Sequence, residues 1–76
     1  MDNLKNSIIE LVKAFAPQGA VIDENYDIQQ NIDSLSIVSL LLNAEDEFMV
    51  EINMEDLDLS VLKSISAFAE FIEKLQ

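Results

Sequence analysis

Several residue types that carry chemistry in proteins are missing from this 76-residue sequence. Cysteine is absent, which excludes disulfides, thiolate metal sites and a cysteine nucleophile. Histidine is absent too, and with it the commonest general base and metal ligand. One glycine and one proline exclude collagen-like and linker-like compositions. Because no ordinary nucleophile–base pair can be assembled, we do not expect an enzyme.

Positive charge is also scarce, with four lysines against 15 acidic residues and a net charge of -11. Such a chain repels nucleic acid and anionic membranes, and it favours partner proteins with basic surfaces. Residues 1–5 lack the features of a signal peptide, and the longest aliphatic run, residues 40–42, is too short to span a bilayer. We therefore expect a cytoplasmic monomer with no nucleic-acid partner and no membrane insertion.

Half of the residues are hydrophobic, which is enough for the core of one small domain over residues 1–76. Helical spacing of three and four predicts a first helix with the apolar face Leu4, Ile8, Leu11, Val12 and Phe15. Pro17 and Gly19 are expected to end it at about Ala16.

A long connection, residues 17–33, contains enough apolar side chains to pack down onto the rest of the chain. A second helix is predicted from residue 34 to about 47, with Asp33 as its N-cap. A short helical turn is expected over residues 54–59, and a last helix from residue 64 or 65 to 75, with Ser64 as its cap. The pattern predicts an all-α fold, a small four-helix bundle of three main helices and a short third one.

The second predicted helix is apolar on two sides. With 100° per residue, one stripe gathers within about 60° of Ile37 and is expected to face the core. That inner stripe consists of Ile37, Leu40, Leu41, Ala44 and Phe48. Nearly opposite, at about 100 to 160°, lies an outer stripe made of Leu35, Val38 and Leu42. Either the long connection covers this outer stripe, or the stripe is exposed and docks partners, with Glu45 and Asp46 bordering its far end.

The second helix opens with the residues Ile32-Asp33-Ser34-Leu35. This stretch resembles the Asp-Ser-Leu attachment motif of the acyl carrier and peptidyl carrier protein family. The motif lies mid-chain after a long loop, as it does in that family. Downstream, the acidic run before Phe48, an Ile leading to a short third helix, and residues 62–72 also resemble the family pattern. The resemblance covers essentially the whole chain.

The resemblance implies a function that composition alone does not. In this family a phosphopantetheinyl transferase moves 4'-phosphopantetheine from coenzyme A onto the motif serine, here Ser34. The thiol of that arm then holds an acyl or aminoacyl group as a thioester and presents it to loading and downstream biosynthetic enzymes. Asp33 is implied to help recognition by the transferase, and Leu35 to provide an apolar contact beside the serine. A phosphodiester at a helix N-terminus is favourably placed, because it faces free amides and the positive end of the dipole.

The sequence departs from the family pattern in two places. Asn31 stands where the family usually has glycine, and we expect it to tolerate the left-handed backbone of a turn there. Ser36, Ser39 and Asn43 are uncharged, whereas fatty-acid carriers commonly have acids at the first two of these positions. This favours a carrier for a secondary metabolite, an amino acid or a special acyl group, with general fatty-acid synthesis as the alternative.

Two further alternatives are open. Asp23, Asn25 and Asp27 have the spacing of a calcium loop, but Ile28 and Ser34 occupy the places of the required glycine and glutamate, so we expect no metal site. An acidic helical adaptor, binding a partner without a prosthetic group, would share the outer stripe. The adaptor hypothesis differs from the carrier hypothesis in that it tolerates Ser34→Ala.

The place of the cargo is not decided by the sequence. A short apolar cargo could fold back between the helices, against the side chains of Leu40, Phe48, Ile52 and Phe68. A polar or aminoacyl cargo would instead stay in solvent.

Overall fold

Four α-helices and one 3-10 helix make up the computed structural model, which describes residues 2–53, 55 and 57–76. The helices are α1 (Asp2–Lys13), α2 (Ile28–Asn31), α3 (Ser34–Phe48), the 3-10 helix (Leu59–Leu62) and α4 (Ile65–Leu75). No β-strand occurs in these residues. The predicted all-α fold, a small bundle of three main helices and a short one, is confirmed, and the structure adds α2.

The core lies where α1, α3 and α4 meet. α1 packs against α3 and α4, the 3-10 helix packs against α4 and α2, and α2 packs against α3. The buried side chains are all hydrophobic: Ile8, Val12, Ile28, Ile32, Leu40, Leu41, Ala44, Ile52, Leu62, Ile65, Phe68, Ala69 and Ile72. Among the described residues, no helix is long and apolar enough to cross a membrane.

The first helix ends three residues earlier than predicted, at Lys13 instead of Ala16. The chain tightens there, because the Ala14 amide donates to the Leu11 carbonyl at 3.1 Å. The Ala16 amide still reaches the Val12 carbonyl at 2.9 Å, so a turn follows the helix before Pro17. Such tightening of a last turn is common, since it satisfies carbonyls that have no helical partner.

The long connection packs down as predicted, and Ile28 and Ile32 are fully or almost fully buried. The Glu24 carbonyl accepts a hydrogen bond from the Ser66 amide at 3.0 Å, which ties the connection to the first turn of α4. Val21 is an exception, because its side chain is 84% exposed. The sequence analysis did not predict α2, whose four residues are capped by Asp27.

The short third helix lies further along the chain than predicted. Two residues of the predicted 54–59 turn, Met54 and Asp56, lie outside the described residues, and the 3-10 helix occupies Leu59–Leu62. Asp58 starts this helix because its carboxylate accepts from the Ser60 amide at 2.9 Å. The last helix begins as predicted, with the Ser64 hydroxyl accepting from the Ala67 amide at 3.0 Å.

Candidate functional site

The N-terminal end of α3 is built around Asp33, which lies in extended backbone just before the helix. Its carboxylate accepts a hydrogen bond from the Ser36 amide at 3.3 Å, and its carbonyl accepts from the Ile37 amide at 2.9 Å. The predicted N-cap is thus confirmed. The Ser36 hydroxyl and then the Ser36 amide lower the pKa of Asp33 below its ordinary value, because both donate to the ionised carboxylate.

α2 and the short link after it hold this end of α3 in position. Only Ile32 and Asp33 separate α2 from α3, and the buried side chains of Ile28 and Ile32 anchor the link in the core. Asn31 does not adopt the left-handed backbone expected of it. It is the last residue of α2, where its side-chain amide donates to the Asp27 carbonyl at 2.8 Å. Asn31 therefore lies in helical backbone, which does not require glycine.

Ser34 is the first residue of α3 and is exposed. Beside it lies an open groove of about 380 Å³ between α2, α3 and the 3-10 helix. The groove is mostly apolar and is lined by Gln29, Ser34, Ile37, Val38, Leu41, Leu57, Leu59 and Leu62. A hydroxyl at the rim of an apolar groove is accessible both to a modifying enzyme and to a group that would lie along the groove.

The sequence analysis missed the groove residues that come from outside α3. Leu59 is an exposed residue of the 3-10 helix, and Leu57 lies two residues before it. The run of apolar residues Leu57, Leu59 and Leu62 is the sequence feature that could have indicated a groove wall, but it does not indicate which helix these residues face. Side chains fill the interior suggested for an apolar cargo, since Leu40, Ile52 and Phe68 are buried in the core and Phe48 is half-buried.

The two stripes of the second predicted helix, now α3, lie as its periodicity indicates. In the inner stripe, Leu40, Leu41 and Ala44 are buried, and Ile37 and Phe48 are half-buried. In the outer stripe, Leu35 is 81% exposed, Val38 48% and Leu42 54%. The interpretation in which the long connection covers the outer stripe is wrong. These three side chains stay on the surface, although α2, the last part of the connection, packs against α3 and another part is hydrogen-bonded to α4.

The C-terminal end of α3 is organised by Glu45. Its carbonyl accepts from the Met49 amide and from the Val50 amide, the second at 3.1 Å, which closes the helix with a Schellman-type turn. Its carboxylate accepts from the Ile52 amide at 2.7 Å, a part-buried hydrogen bond that ties the following segment to the helix. One of the two acidic residues predicted to border the outer stripe therefore also holds the backbone together, whereas Asp46 is exposed.

Met49 ends the helix in the left-handed conformation, with φ 55° and ψ 48°. Glycine is the usual residue at such a position, since a side chain there costs roughly 1–2 kcal/mol. The Met49 side chain is 91% exposed, so it recovers little of this cost by packing. Nothing else in the described chain combines positive φ with a side chain.

Charge is distributed unevenly along α3. Residues 34–44 contain no charged side chain, although the protein carries a net charge of -11. Asp33 precedes this stretch, and Glu45, Asp46 and Glu47 follow it. Apart from Asp33, the surface of α3 beyond Ser34 is thus apolar or neutral, and the acidic cluster at its other end begins three turns away.

The carboxylates of the calcium-like segment already have hydrogen-bond partners of another kind. Asp23 accepts from the Asn25 amide at 2.9 Å, and Asp27 accepts from the Gln30 amide at 3.0 Å. Both side chains start turns of the backbone, a common role for Asp before a turn or helix. In the described part of the chain, no group of three or more acidic side chains could hold a metal ion.

Comparison with known proteins identifies the family. Residues 3–72 match the model of the phosphopantetheine attachment site family. The chain is also similar to a protein named acyl carrier protein from Rhodococcus erythropolis (strain PR4 / NBRC 100887). The two are 30% identical over 69 residues, which are 91% of this chain and 74% of that protein. The chain therefore belongs to the phosphopantetheine-binding acyl carrier family, whose members are carriers rather than enzymes and bear a covalent 4'-phosphopantetheine group.

Proposed function

We propose that Ser34 is the residue to which 4'-phosphopantetheine is attached. The exposure of Ser34 at the first position of α3, beside an apolar groove, is the observation that carries this proposal. Neighbouring serines are less suited. The Ser36 hydroxyl is engaged with Asp33, and Ser39 lies in the second turn of the helix, away from the free amides of its N-terminus.

The reaction needs little from this chain beyond an accessible hydroxyl. Ser34 Oγ would attack the phosphorus of coenzyme A that bears pantetheine, forming a new O–P bond. The pyrophosphate P–O bond breaks, adenosine 3',5'-bisphosphate leaves, and the serine proton passes to the transferase or to water. The phosphodiester then lies at a helix N-terminus, where the dipole stabilises negative charge.

The residues around Ser34 fit the arm. The groove beside it is open along one side and lined mostly by leucine and isoleucine, so it can receive the apolar parts of a flexible chain. When bound, the arm supplies the thiol that this cysteine-free chain lacks. The apolar side chains that would contact it are those of Ile37, Leu57 and Leu59.

Intact-mass measurement tests the attachment site. The apo protein is incubated with coenzyme A and a broad-specificity phosphopantetheinyl transferase. The wild type is expected to gain the mass of one phosphopantetheine group, and Ser34→Ala is expected to gain none. Ser39→Ala is the matched control, because it removes a nearby exposed hydroxyl of the same helix and should be modified like the wild type. Modification of Ser34→Ala, or none of the wild type while a control carrier is modified, contradicts the proposal.

The neutral surface of α3 supports a specialised pathway over general fatty-acid synthesis. A loading enzyme that reads carboxylates along the first turns of this helix would find only Ser36 and Ser39 there. The modified protein is therefore expected to be a poor substrate for a malonyl transferase of general fatty-acid synthesis. Malonylation at a rate close to that of a general carrier would contradict this, and would favour the fatty-acid alternative.

The outer stripe is the proposed docking surface for the partner enzymes with which carriers of this family interact, the transferase and the biosynthetic enzymes. Three exposed apolar side chains along α3 fit an apolar notch on the partner, and Glu45 and Asp46 fit basic side chains at its edge. The net charge of -11 favours a monomer, since two copies repel each other, and steers basic partners. Leu42→Ser should weaken transfer by partner enzymes with little effect on unfolding.

A further inference from the structure

Met49 combines a strained backbone with an exposed apolar side chain. Its backbone is left-handed, which glycine would adopt without strain, and its apolar side chain is 91% exposed. A strained residue is retained where the surrounding structure or a function requires it, and an exposed apolar side chain next to exposed carboxylates can serve as a contact with a partner of complementary charge. Neither feature is explained by the packing of the bundle.

The charges near Met49 in the chain are available to a partner. Asp46 and Glu47, in the last turn of α3, and Glu51, just beyond it, are all exposed. The ion pairs within the described residues are Lys5–Glu24 and Lys13–Glu10, so none of these three carboxylates is paired in that part of the chain. An apolar side chain with acidic neighbours is complementary to an apolar pocket rimmed by lysine or arginine.

We propose that Met49 is a second anchor for the phosphopantetheinyl transferase, its side chain entering an apolar pocket whose basic rim pairs with Asp46, Glu47 and Glu51. The inference rests on the proposed function, because it assumes that the transferase acts at Ser34. The transferase is the partner that must recognise the chain before any arm or cargo is attached. Its binding surface is expected to be cationic near the active site, since coenzyme A carries a pyrophosphate and a further phosphate.

The distance between the two contact points is compatible with one interface. Ser34 and Met49 are separated by α3, whose 1.5 Å rise per residue gives roughly 22 Å along the helix axis. A standard interface buries about 800 Å² per partner, a patch roughly 30 Å across. One partner surface can therefore cover both ends of the helix, with the outer stripe between them.

Steady-state kinetics of arm transfer test the proposal, with coenzyme A and a broad-specificity transferase. Met49→Asn and Met49→Gly both accept left-handed backbone and remove the apolar side chain. We expect kcat/KM to fall about 5- to 30-fold in both, mainly through KM, because Met49 lies far from the reacting atoms. Met49→Leu keeps an apolar side chain and should stay within about twofold of the wild type.

Val21→Asn is the matched control, because it removes another highly exposed apolar side chain far from α3 in the chain, and its kcat/KM should not change. Circular dichroism is expected to show all four variants folded. Wild-type kcat/KM in Met49→Asn and Met49→Gly would overturn the inference and leave Met49 as a tolerated helix end. If the wild-type protein accepts no arm at all, it is the proposed function of Ser34 that fails.

Discussion

At its N-terminal end α3 begins with an Asp cap, an exposed serine and an uncharged surface, whereas at its C-terminal end it carries three acidic residues and a strained methionine. The buried side chains of Ile28, in α2, and Ile32, in the link to α3, anchor the N-terminal end to the core. At the C-terminal end, Glu45 accepts hydrogen bonds through its carbonyl and its carboxylate, and the carboxylate accepts from the amide of Ile52, whose side chain is buried in the core. Both ends pack against the core, but the carboxylate at the N-terminal end accepts from an exposed first turn, whereas the one at the C-terminal end accepts from a part-buried amide.

Removing the Glu45 carboxylate is expected to have the largest effect on stability. Glu45→Ala leaves the part-buried Ile52 amide without its acceptor, which should lower the free energy of unfolding by about 1–3 kcal/mol. In a domain of this size the melting temperature then falls by roughly 4–8 °C per kcal/mol. Glu45→Gln should lose less, because the amide oxygen can still accept.

Glu47→Ala is the control for this variant, since Glu47 is exposed in the same turn and should change stability by no more than about 0.5 kcal/mol. Urea unfolding followed by circular dichroism measures all three variants. Equal stability of Glu45→Ala and Glu47→Ala would show that the C-terminal end does not depend on this hydrogen bond.

Removing the backbone strain at Met49, at the same end of α3, should raise the stability instead of lowering it. Met49→Gly is expected to raise the free energy of unfolding by about 1 kcal/mol, because glycine has no Cβ to strain this conformation. Thermal unfolding detects a change of this size. A lower melting temperature would mean that the Met49 side chain contributes packing that outweighs the strain, contrary to its exposure.

The smallest change in stability is expected when the pH is lowered and the capping carboxyl groups, among them Asp33 at the start of α3, become protonated. The pKa of Asp33 is lowered from 3.8 in the folded state by hydrogen bonds from the Ser36 hydroxyl and amide, and that of Asp58 is lowered by the Ser60 amide and hydroxyl. A carboxyl with a lowered folded pKa stabilises the fold above its unfolded value, and this contribution is lost as the pH falls below 3.8 and through the folded pKa.

The melting temperature should therefore hold or rise slightly from pH 7 to 5, as partial protonation relieves repulsion among 15 acidic residues, and fall below pH 3.8. Asp33→Asn keeps a capping side chain that does not titrate, so its decrease in acid should be shallower. Loss of helicity already between pH 7 and 5 would contradict both arguments.

The helices and their caps were largely predictable because they depend on local signals. Asp33 and Ser64 are capping residues by chemistry alone, and the stripes of α3 follow from its periodicity. Which stripe would be exposed was not predictable, because it depends on where the long connection packs. The hydrogen bond from the Ile52 amide to the Glu45 carboxylate joins residues seven apart, across the end of α3 and the irregular segment after it, and no local pattern encodes it.

The groove beside Ser34 was not predicted either, because it also depends on tertiary packing. Its walls come from α2, α3 and the residues around the 3-10 helix, and the sequence analysis predicted neither α2 nor the position of the short third helix. Short helices have weak periodicity, so the tertiary packing of leucines decides where they form. The attachment motif itself was recognisable because Asp, Ser and Leu occupy adjacent positions at a helix start.

Fragmentation mass spectrometry of the modified wild-type protein locates the residue that carries the arm, which we propose to be Ser34. Cleavage after lysine releases a peptide of residues 14–63, which contains Ser34, Ser36, Ser39 and Ser60. Fragment ions are expected to place the added phosphopantetheine mass on Ser34 alone. Placement on Ser36, Ser39 or Ser60 would contradict the account, because the exposed N-terminal end of α3 would then not be the site that the transferase uses.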